Sequence, residues 1–379
     1  MTSAASPRIL LVKLSSLGDV LHALPTLEAL RDLCPQGQIT WLVEEANAPL
    51  LTGHPALDEV WAVPRVRLGQ KVGREELLRF LRLLRRVRAT PFDLVIDLQG
   101  LLKSALWVAL AKSPRKVGYG RTRELSYLPL TERLAPFDPE AHAVWRYLHV
   151  ARHLGAPPAP PRFRLGLTPA FPDALFRNVG ANLAFAPGTG RIPDSPLRKK
   201  HNFVSDELVS RPRGRALVAL HPGARWASKL WPPAHWAQLA DWLIKEKGLA
   251  VVITGSAEDR DLAAQICAQM QEKALNLAGR TSLQELAGVL TKASLAVTAD
   301  TGPMHLAAAL GTRVVAIFGP TAPGRTGPFG GGHRVVRLGV ECSPCFQRHC
   351  PDPRCLTGLS PDAVLAAVEK SLSRSCNNC

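Results

Sequence analysis

The chain has 379 residues, of which 46% are hydrophobic and 21% are charged. These proportions are ordinary for a folded protein, so they exclude wholesale disorder, and the length suits two domains. The 47 lysines and arginines against 31 acidic residues give a formal net charge of +16. Such an excess favours an anionic partner, namely nucleic acid, a phosphorylated substrate or an acidic membrane surface.

The compartment is predicted from the beginning of the chain and from the cysteines. The apolar run at residues 9–12 stops at Lys13, so it does not resemble a secretory signal peptide, and no run approaches the ~18 residues of a spanning helix. Six of the eight cysteines lie at or after Cys342, unlike a secreted disulfide framework. We expect a protein of the reducing cytoplasm.

Short apolar runs alternate with helical patterns, which predicts an α/β fold with parallel sheets. The predicted strands are 9–12, 39–43, 60–63 and 94–97 in the first half, and 216–220, 249–254, 275–277, 295–298 and 314–318 in the second. Helices are predicted over 21–33, 235–247, 259–273 and 283–290. We expect two Rossmann-like, doubly wound domains that face a central cleft.

The domain boundary is predicted in a stretch that lacks periodicity. Residues 155–161 contain four prolines and suit an extended linker. We place the first domain at 1–175, an irregular and disordered linker at 176–214, and the second domain at 215–379.

The first candidate site is the segment Lys13-Leu-Ser-Ser-Leu-Gly-Asp19, a polar loop between a predicted strand and a helix that begins near Asp19. Ligands of open α/β sheets bind at such strand ends, and the start of a helix favours an anion. Asp19 has two interpretations that the pattern leaves open. It is either an N-cap, which stabilises a helix by ~1 kcal/mol, or a general base.

Three loops of the second half suit a nucleotide. Asp300-Thr-Gly302 follows a predicted strand and precedes a helix that begins near Pro303. The loop at 221–233 offers Ser228 and Lys229 to a diphosphate. Glu258 either accepts a hydrogen bond from a ribose hydroxyl or complements a helix dipole.

Other nucleotide- and nucleic-acid-binding classes lack their signatures in this sequence. Neither Gly-x-Gly-x-x-Gly nor the P-loop pattern occurs at a predicted strand–helix junction, which argues against a dinucleotide oxidoreductase and a P-loop enzyme. The 6% aromatic content, without interleaved basic residues, argues against a nucleic-acid partner.

Together these motifs resemble glycosyltransferase family 9, the ADP-heptose:lipopolysaccharide heptosyltransferases. The resemblance rests on residues 13–19 with His22 and Pro25, on 97–103 and 221–223, and on 300–305 with 319–321. It covers roughly residues 8–154 and 216–372, and it fails between 176 and 215. With its Ser15-Ser16 pair, the segment at 13–19 resembles the corresponding segment of those family members that add the first heptose to the Kdo residue of the inner core.

The resemblance implies a GT-B fold, with the acceptor on the first domain and the nucleotide-sugar on the second. It implies inverting transfer of L-glycero-D-manno-heptose from ADP-heptose to Kdo-lipid A, with no cofactor and no essential divalent metal. Two alternatives stay open. One is a related GT-B transferase with another nucleotide-sugar or the second heptose step, and the other is a non-catalytic, basic membrane-surface protein.

The resemblance also assigns roles to individual residues. Asp19 matches the catalytic base, Lys229 matches the lysine on the donor phosphates, and Glu258 matches the ribose-binding acid, with Asp259 as the alternative register. The predicted donor-binding residues are Ser15, Ser16, Gly18, Ser228, Lys229, Glu258, Asp300, Thr301, Gly302 and His305. The predicted acceptor-binding residues are Arg65, Arg67, Gln99, Lys103 and Arg123.

Residues 65–88 carry nine basic and two acidic side chains. Leu77, Leu78, Leu81 and Leu84 share one face of the predicted helix. We expect this stretch to contact anionic lipid, with the protein peripheral on the cytoplasmic face of the inner membrane. The alternative is a solvated charged helix whose leucines pack on the first domain.

The cysteine-rich segment at 342–355 has the spacing Cys342-x2-Cys345-x4-Cys350-x4-Cys355. Its Cys-x2-Cys half-site is compatible with structural zinc or an iron–sulfur cluster, but the remaining spacing is loose. The favoured interpretation is that the protein has no metal site. Cys376 and Cys379 are predicted to lie in a disordered end.

Overall fold

The computed structural model describes residues 6–64, 73–120, 122–177 and 215–373. The chain divides into two compact units, Met1–Leu167 and Thr168–Cys379. Each unit contains a six-stranded parallel sheet with helices between its strands. The predicted α/β class with two Rossmann-like domains is therefore confirmed.

The first unit has the doubly wound strand order. Its strands are β1 (Arg8–Val12), β2 (Gln38–Glu44), β3 (Glu59–Val63), β4 (Leu94–Asp97), β5 (Arg115–Tyr119) and β6 (Glu132–Leu134). Its helices are α1 (Leu17–Leu33), α2 (Arg74–Ala89), α3 (Leu102–Leu110) and α4 (Ala143–His153). The sheet order is β3-β2-β1-β4-β5-β6, so the order reverses between β1 and β4, where open α/β sheets bind their ligands.

The second unit repeats this order. Its strands are β7 (Leu217–His221), β8 (Ala250–Ile253), β9 (Leu275–Asn276), β10 (Leu295–Ala299), β11 (Val314–Phe318) and β12 (Arg334–Arg337). Its helices are α5 (Asp173–Arg177), α6 (Pro233–Lys245), α7 (Arg260–Gln269), α8 (Leu283–Lys292), α9 (Gly302–Ala309), α10 (Pro323–Thr326), α11 (Arg354–Thr357) and α12 (Pro361–Ser373). The sheet order is β12-β11-β10-β7-β8-β9, and it reverses between β7 and β10.

The central strands are apolar because helices cover both faces of a parallel sheet. Ile9 to Val12 of β1 and all five residues of β7, β10 and β11 are buried. This near-continuous burial explains why these runs are recognisable in the sequence. Within the described ranges, no helix is both long enough and apolar enough to cross a membrane.

The boundary between the units lies earlier than the predicted one at residue 175. The backbone N–H of Ala170 donates to the carbonyl of Gln284 in α8, at 3.0 Å. The same stretch approaches α8 so closely that a Cβ on Gly288 would lie 2.3 Å from the carbonyl oxygen of Ala170. Phe176 is buried within α5, so the predicted irregular linker does not begin there. Residues 178–214 lie outside the described residues.

Three strands are absent from the sequence prediction, and each carries charge. β5 opens with Arg115 and Lys116, β6 contains Glu132 and Arg133, and β12 has arginine at both ends. β6 and β12 are edge strands, where charged side chains are tolerated and discourage pairing with another chain. Their composition therefore hides them from a search for apolar runs.

Candidate active site

The loop between β1 and α1 places Asp19 in the first turn of the helix. α1 begins at Leu17 with Ser16 as its N-cap, so Asp19 is the third helical residue and the N-cap interpretation is wrong. The amide and the hydroxyl of Ser16 both donate to Oδ2 of Asp19, at 3.0 and 2.8 Å. This arrangement fixes the carboxylate and stabilises the start of α1.

The second carboxylate oxygen of Asp19 faces a cation and a phenol. Oδ1 accepts a hydrogen bond from the hydroxyl of Tyr147 at 3.0 Å and lies 3.9 Å from Nζ of Lys13. The Lys13 ammonium also donates to the Tyr147 oxygen at 2.8 Å. Only 3% of the Lys13 side chain is exposed, against 38% for Asp19. The cation is therefore buried, whereas the carboxylate is accessible to a reactant.

The charges around Asp19 determine its ionisation. Burial by itself raises the pKa of this carboxyl. The Lys13 ammonium, His22 and the hydrogen bonds from Ser16 together lower the pKa by more than burial raises it, so the pKa lies well below its ordinary value. Burial raises the pKa of Tyr147 well above its usual range, so this residue remains a hydrogen-bond donor. At neutral pH, Asp19 is an ionised, partly exposed carboxylate, as a general base must be.

The end of β4 supports this loop from the neighbouring strand. The carboxylate of Asp97 accepts hydrogen bonds from the amides of Gln99 at 2.8 Å and Gly100 at 3.1 Å. The side-chain carbonyl of Gln99 accepts from the amides of Leu14 and Ser15, both at 3.0 Å. Gln99, a predicted acceptor-binding residue, therefore fixes the loop that carries Asp19.

Of the other predicted acceptor-binding residues, the structure describes the side chain of Lys103 alone. The Lys103 ammonium donates to the Ser15 hydroxyl and pairs with Glu44 at 2.6 Å. Arg65 and Arg67 lie outside the described residues. Arg123 begins a single 3-10 turn, and its side chain also lies outside the description.

The second unit brings Lys229 and Asp300 together, from loops that follow β7 and β10. Nζ of Lys229 lies 2.6 Å from Oδ2 of Asp300, which also accepts a hydrogen bond from the Thr321 hydroxyl at 2.6 Å. Thr301 occupies the N-cap position of α9, and Gly302 is the first residue of that helix. The predicted donor loops thus meet at the point where the strand order reverses.

The loop that carries Lys229 packs against the cysteine-rich segment. The buried Ser228 hydroxyl donates to the Gln347 carbonyl at 2.6 Å, which leaves it poorly placed as the predicted phosphate contact. Lys229 and Arg348 both lie over the ring of Trp226, at 4.5 and 5.5 Å from its centroid. The sequence interpretation missed Trp226, although it lies in the same loop as Lys229, and it missed Arg348, because no local spacing signals a contact with a residue so distant in the chain.

The two acidic candidates for the ribose contact differ in their surroundings. Asp259 accepts from the amide and the hydroxyl of Ser256, both at 2.7 Å. A Cβ on Gly223 would lie 2.3 Å from Oδ1 of Asp259, so this carboxylate lies against the turn that follows β7. Glu258 is exposed. These contacts favour Glu258 over Asp259 as the ribose-binding acid.

Two histidines near these loops are buried. His305 lies within α9. Nδ1 of His221 lies 3.0 Å from the Thr254 hydroxyl. Burial lowers the pKa of His221 to about 4, although Asp259 opposes the shift, so His221 is neutral at physiological pH.

The four cysteines of the segment do not form a metal centre in this structure. Among the described residues, no three His, Cys, Asp or Glu side chains are grouped closely enough to hold a metal ion. Burial and the neighbouring Cys345, Cys342 and Cys350 raise the pKa of the Cys355 thiol. The zinc and iron–sulfur hypotheses, and the favoured interpretation without a metal site, all stay predictions.

Comparison with known proteins agrees with this geometry. Residues 80–355 match Glycosyltransferase family 9 (heptosyltransferase). The chain is 34% identical to lipopolysaccharide heptosyltransferase 1 of Pseudomonas aeruginosa, over 96% of this chain and 98% of the relative. It is 31% identical to the protein of the same name from Salmonella typhimurium, over 85% and 92%. The structure of E. coli heptosyltransferase WaaC with ADP superposes with a TM-score of 0.69 and 25% identity, over 96% of this chain and 99% of that chain.

The chain belongs to glycosyltransferase family 9. The predicted resemblance and the enzyme class are therefore confirmed. The roles of the individual residues remain predictions that rest on the geometry described above.

Proposed function

We propose that this protein is a lipopolysaccharide heptosyltransferase that transfers L-glycero-D-manno-heptose from ADP-heptose to a Kdo residue of Kdo-lipid A. The observation that carries the proposal is the near full-length identity to relatives named lipopolysaccharide heptosyltransferase 1. The ionised Asp19 supports it, because transfer to a sugar hydroxyl requires a base.

On the acceptor side, the Asp19 carboxylate takes the proton of the Kdo hydroxyl as its oxygen attacks the anomeric carbon of heptose. A positioned general base contributes about 10²- to 10⁴-fold to such a step. The buried Lys13 keeps Asp19 ionised, and Tyr147 orients it through Oδ1.

On the donor side, the bond between the anomeric carbon and the β-phosphate oxygen breaks, and ADP leaves as the configuration inverts. Lys229 and the N-terminus of α9 stabilise the negative charge that develops on the diphosphate. Because Asp300 already accepts from Lys229 and Thr321, we propose a cationic side chain rather than an essential divalent metal in this role.

The direct test offers the purified protein ADP-heptose with either Kdo-lipid A or Kdo-lipid A that already carries one heptose, and follows product mass. Our proposal predicts addition to the unheptosylated acceptor. Addition only to the heptosylated acceptor would assign the second transfer step instead. If neither acceptor reacts, a panel of other nucleotide-sugars separates a different transferase from a non-catalytic protein.

We also propose that the protein works at the cytoplasmic face of the inner membrane, where its lipid acceptor would lie. The anionic lipids of that surface would attract a chain of net charge +16. Membrane fractionation at low and high salt tests this location. A protein that stays in the supernatant at low salt would contradict it.

A further inference from the structure

The first unit exposes a cluster of leucines. Among the described residues, nine large apolar side chains are exposed, and seven of them lie between positions 77 and 128. These seven are Leu77, Leu78, Leu81, Leu102, Leu106, Leu125 and Leu128. Leu77, Leu78 and Leu81 lie within about one turn of the same helix, and a contiguous exposed apolar patch of this kind indicates an interaction site.

Helix α2 presents three of its five leucines on the side away from the core. Leu83 and Val87 are buried in the first unit, with Phe80 and Leu84 packed beside them. Leu77, Leu78 and Leu81 are 48, 42 and 39% exposed. Of the four leucines that the sequence groups on one face, only Leu84 contacts the core, so the interpretation that all four pack on the domain is wrong.

The arginines of α2 fall into two groups. Arg79 and Arg86 pair with Glu45 and Glu59, on a flank of the helix. Four other arginines are exposed and form no ion pair within the described part of the chain: Arg74, Arg82, Arg85 and Arg88. At 3.6 residues per turn, these four share the side of Leu77, Leu78 and Leu81, opposite the buried face.

The neighbouring helix α3 also carries exposed leucines. α3 packs on α2 through Phe80 and Trp107, whose rings lie 5.5 Å apart. Leu102 and Leu106 are exposed one turn apart on α3. The backbone amide of Leu102 donates a hydrogen bond to Oε2 of Glu124 at 3.0 Å, and Glu124 precedes the exposed Leu125 in the chain. We call the exposed leucines of α2 and α3, with the four arginines of α2, the apolar–basic face.

We propose that the apolar–basic face docks on an anionic lipid bilayer, with its leucines in the interfacial region and its arginines on lipid phosphates. The alternation of leucines with unpaired arginines favours lipid over a protein partner, because the centres of protein interfaces are depleted of charge. Helices with an apolar and basic surface bind in the plane of anionic membranes. The inference rests on the proposed function only for the identity of the membrane, namely the inner membrane.

The test is co-sedimentation of the full chain with vesicles of phosphatidylethanolamine and phosphatidylglycerol, against phosphatidylcholine alone, without substrate. We expect binding to the anionic vesicles. The triple variant Leu77→Ser, Leu78→Ser, Leu81→Ser should weaken it by at least about tenfold, since each removes a large apolar side chain from the interface. The double variant Val335→Ser, Phe346→Ser removes exposed apolar groups of the second unit and should bind normally.

The arginines have a matched control on the same helix. Arg82→Gln with Arg85→Gln should weaken binding to anionic vesicles more than Arg79→Gln with Arg86→Gln, although both pairs remove the same charge. Equal losses would mean that the total charge matters and the face does not. Normal binding by the leucine variant would overturn the inference, even if that variant changed the oligomeric state and so revealed a contact between copies.

Activity on a soluble Kdo acceptor separates this inference from the proposed function. We expect the leucine variant to keep both that activity and its thermal stability, because the three side chains are exposed. If it fails to fold, Leu102→Ser with Leu106→Ser tests the same face from α3. Absence of vesicle binding by an enzyme active on the soluble acceptor would overturn the docking face alone.

Discussion

The buried ammonium of Lys13 lies 3.9 Å from Oδ1 of the partly exposed Asp19. The cation comes from the end of β1 and the carboxylate from the first turn of α1, so the fold itself sets their separation. The lysine approaches from the interior and leaves the outer side of the carboxylate open. This relationship keeps Asp19 ionised at neutral pH without blocking a reactant.

The charge of Lys13 should therefore shift the pH dependence of catalysis. In the wild type, the pKa of Asp19 lies well below 3.8, so the base stays ionised as the pH falls towards 4. Replacing Lys13 by Met removes the main attraction and leaves the burial that raises this pKa. We therefore expect Lys13→Met to show an acid limb of kcat/KM above pH 4, where the wild type shows none from Asp19.

The measurement is kcat/KM between pH 4 and 8, over the range in which each variant remains folded. Lys112→Met, which removes an exposed lysine, should keep the wild-type profile. A Lys13→Met profile without an acid limb above pH 4, like that of the wild type, would show that Lys13 does not control the ionisation of the base.

Tyr147 should position Asp19 without taking part in proton transfer, because its own pKa is well above 10.0. Tyr147→Phe preserves the ring but removes the donor to Asp19 and one hydrogen-bond partner of Lys13. We expect kcat to fall about tenfold and stability by about 1–3 kcal/mol, the cost of an unpaired buried polar group. Unchanged kcat with unchanged ADP-heptose affinity would remove Tyr147 from the site.

The sequence predicts the strands that are uniformly apolar and the loops that follow them, because burial on both faces leaves a continuous pattern. It therefore locates Asp19, Lys229 and Asp300 correctly at strand ends. It does not predict Tyr147, which reaches Asp19 from α4, 128 residues away in sequence. Contacts of this kind depend on tertiary packing, which no local spacing encodes.

The same limit explains the two errors at helices. The sequence predicts that α1 begins near Asp19, because Asp is a favourable N-cap residue. Ser is equally favourable, and Ser16 occupies the N-cap position in the structure. In α2, several leucine patterns are compatible with a helical face, and only packing decides that Leu83 and Val87 face the core.

Lys229 should contribute to donor binding more than to stability. Lys229→Ala removes a cation that would contact the diphosphate, and a charged hydrogen bond of this type is worth about 1.5–3 kcal/mol, or roughly 10- to 100-fold in affinity. Calorimetry with ADP measures the loss. Unchanged ADP affinity would contradict the assignment.

Lys247 provides a matched control within the same unit. It pairs with Glu369 at 2.7 Å and lies 4.6 Å from the centroid of Trp242, much as Lys229 pairs with Asp300 and lies over Trp226. Lys247→Ala should leave ADP affinity unchanged. Equal losses in both variants would indicate a general effect on the fold.

Metal removal tests the proposed role of Lys229 independently. If the lysine and the helix N-terminus stabilise the leaving diphosphate, exhaustive treatment with EDTA should change kcat by less than about twofold. Loss of activity that added Mg²⁺ restores would show that a divalent ion shares this role. The assay uses ADP-heptose and a soluble Kdo acceptor, so that membrane binding does not interfere.

The central claim is that Asp19 is the catalytic base and not only part of a helix cap. Glu285 offers a comparison, because the amide and the hydroxyl of Ser282 donate to it as those of Ser16 donate to Asp19. Glu285→Gln should therefore show how much stability a helix loses when the carboxylate of its first turn becomes an amide, and kcat should stay unchanged. Asp19→Asn should cost more stability than Glu285→Gln, because it leaves the buried Lys13 without its counter-ion.

The most direct measurement is kcat for Asp19→Asn, in protein shown to be folded and to bind ADP-heptose normally. Asn is nearly isosteric with Asp but cannot take the acceptor's proton. We predict that kcat falls by at least about 10²-fold while donor affinity holds. Near-normal turnover by this folded variant would contradict the assignment of Asp19 as the base.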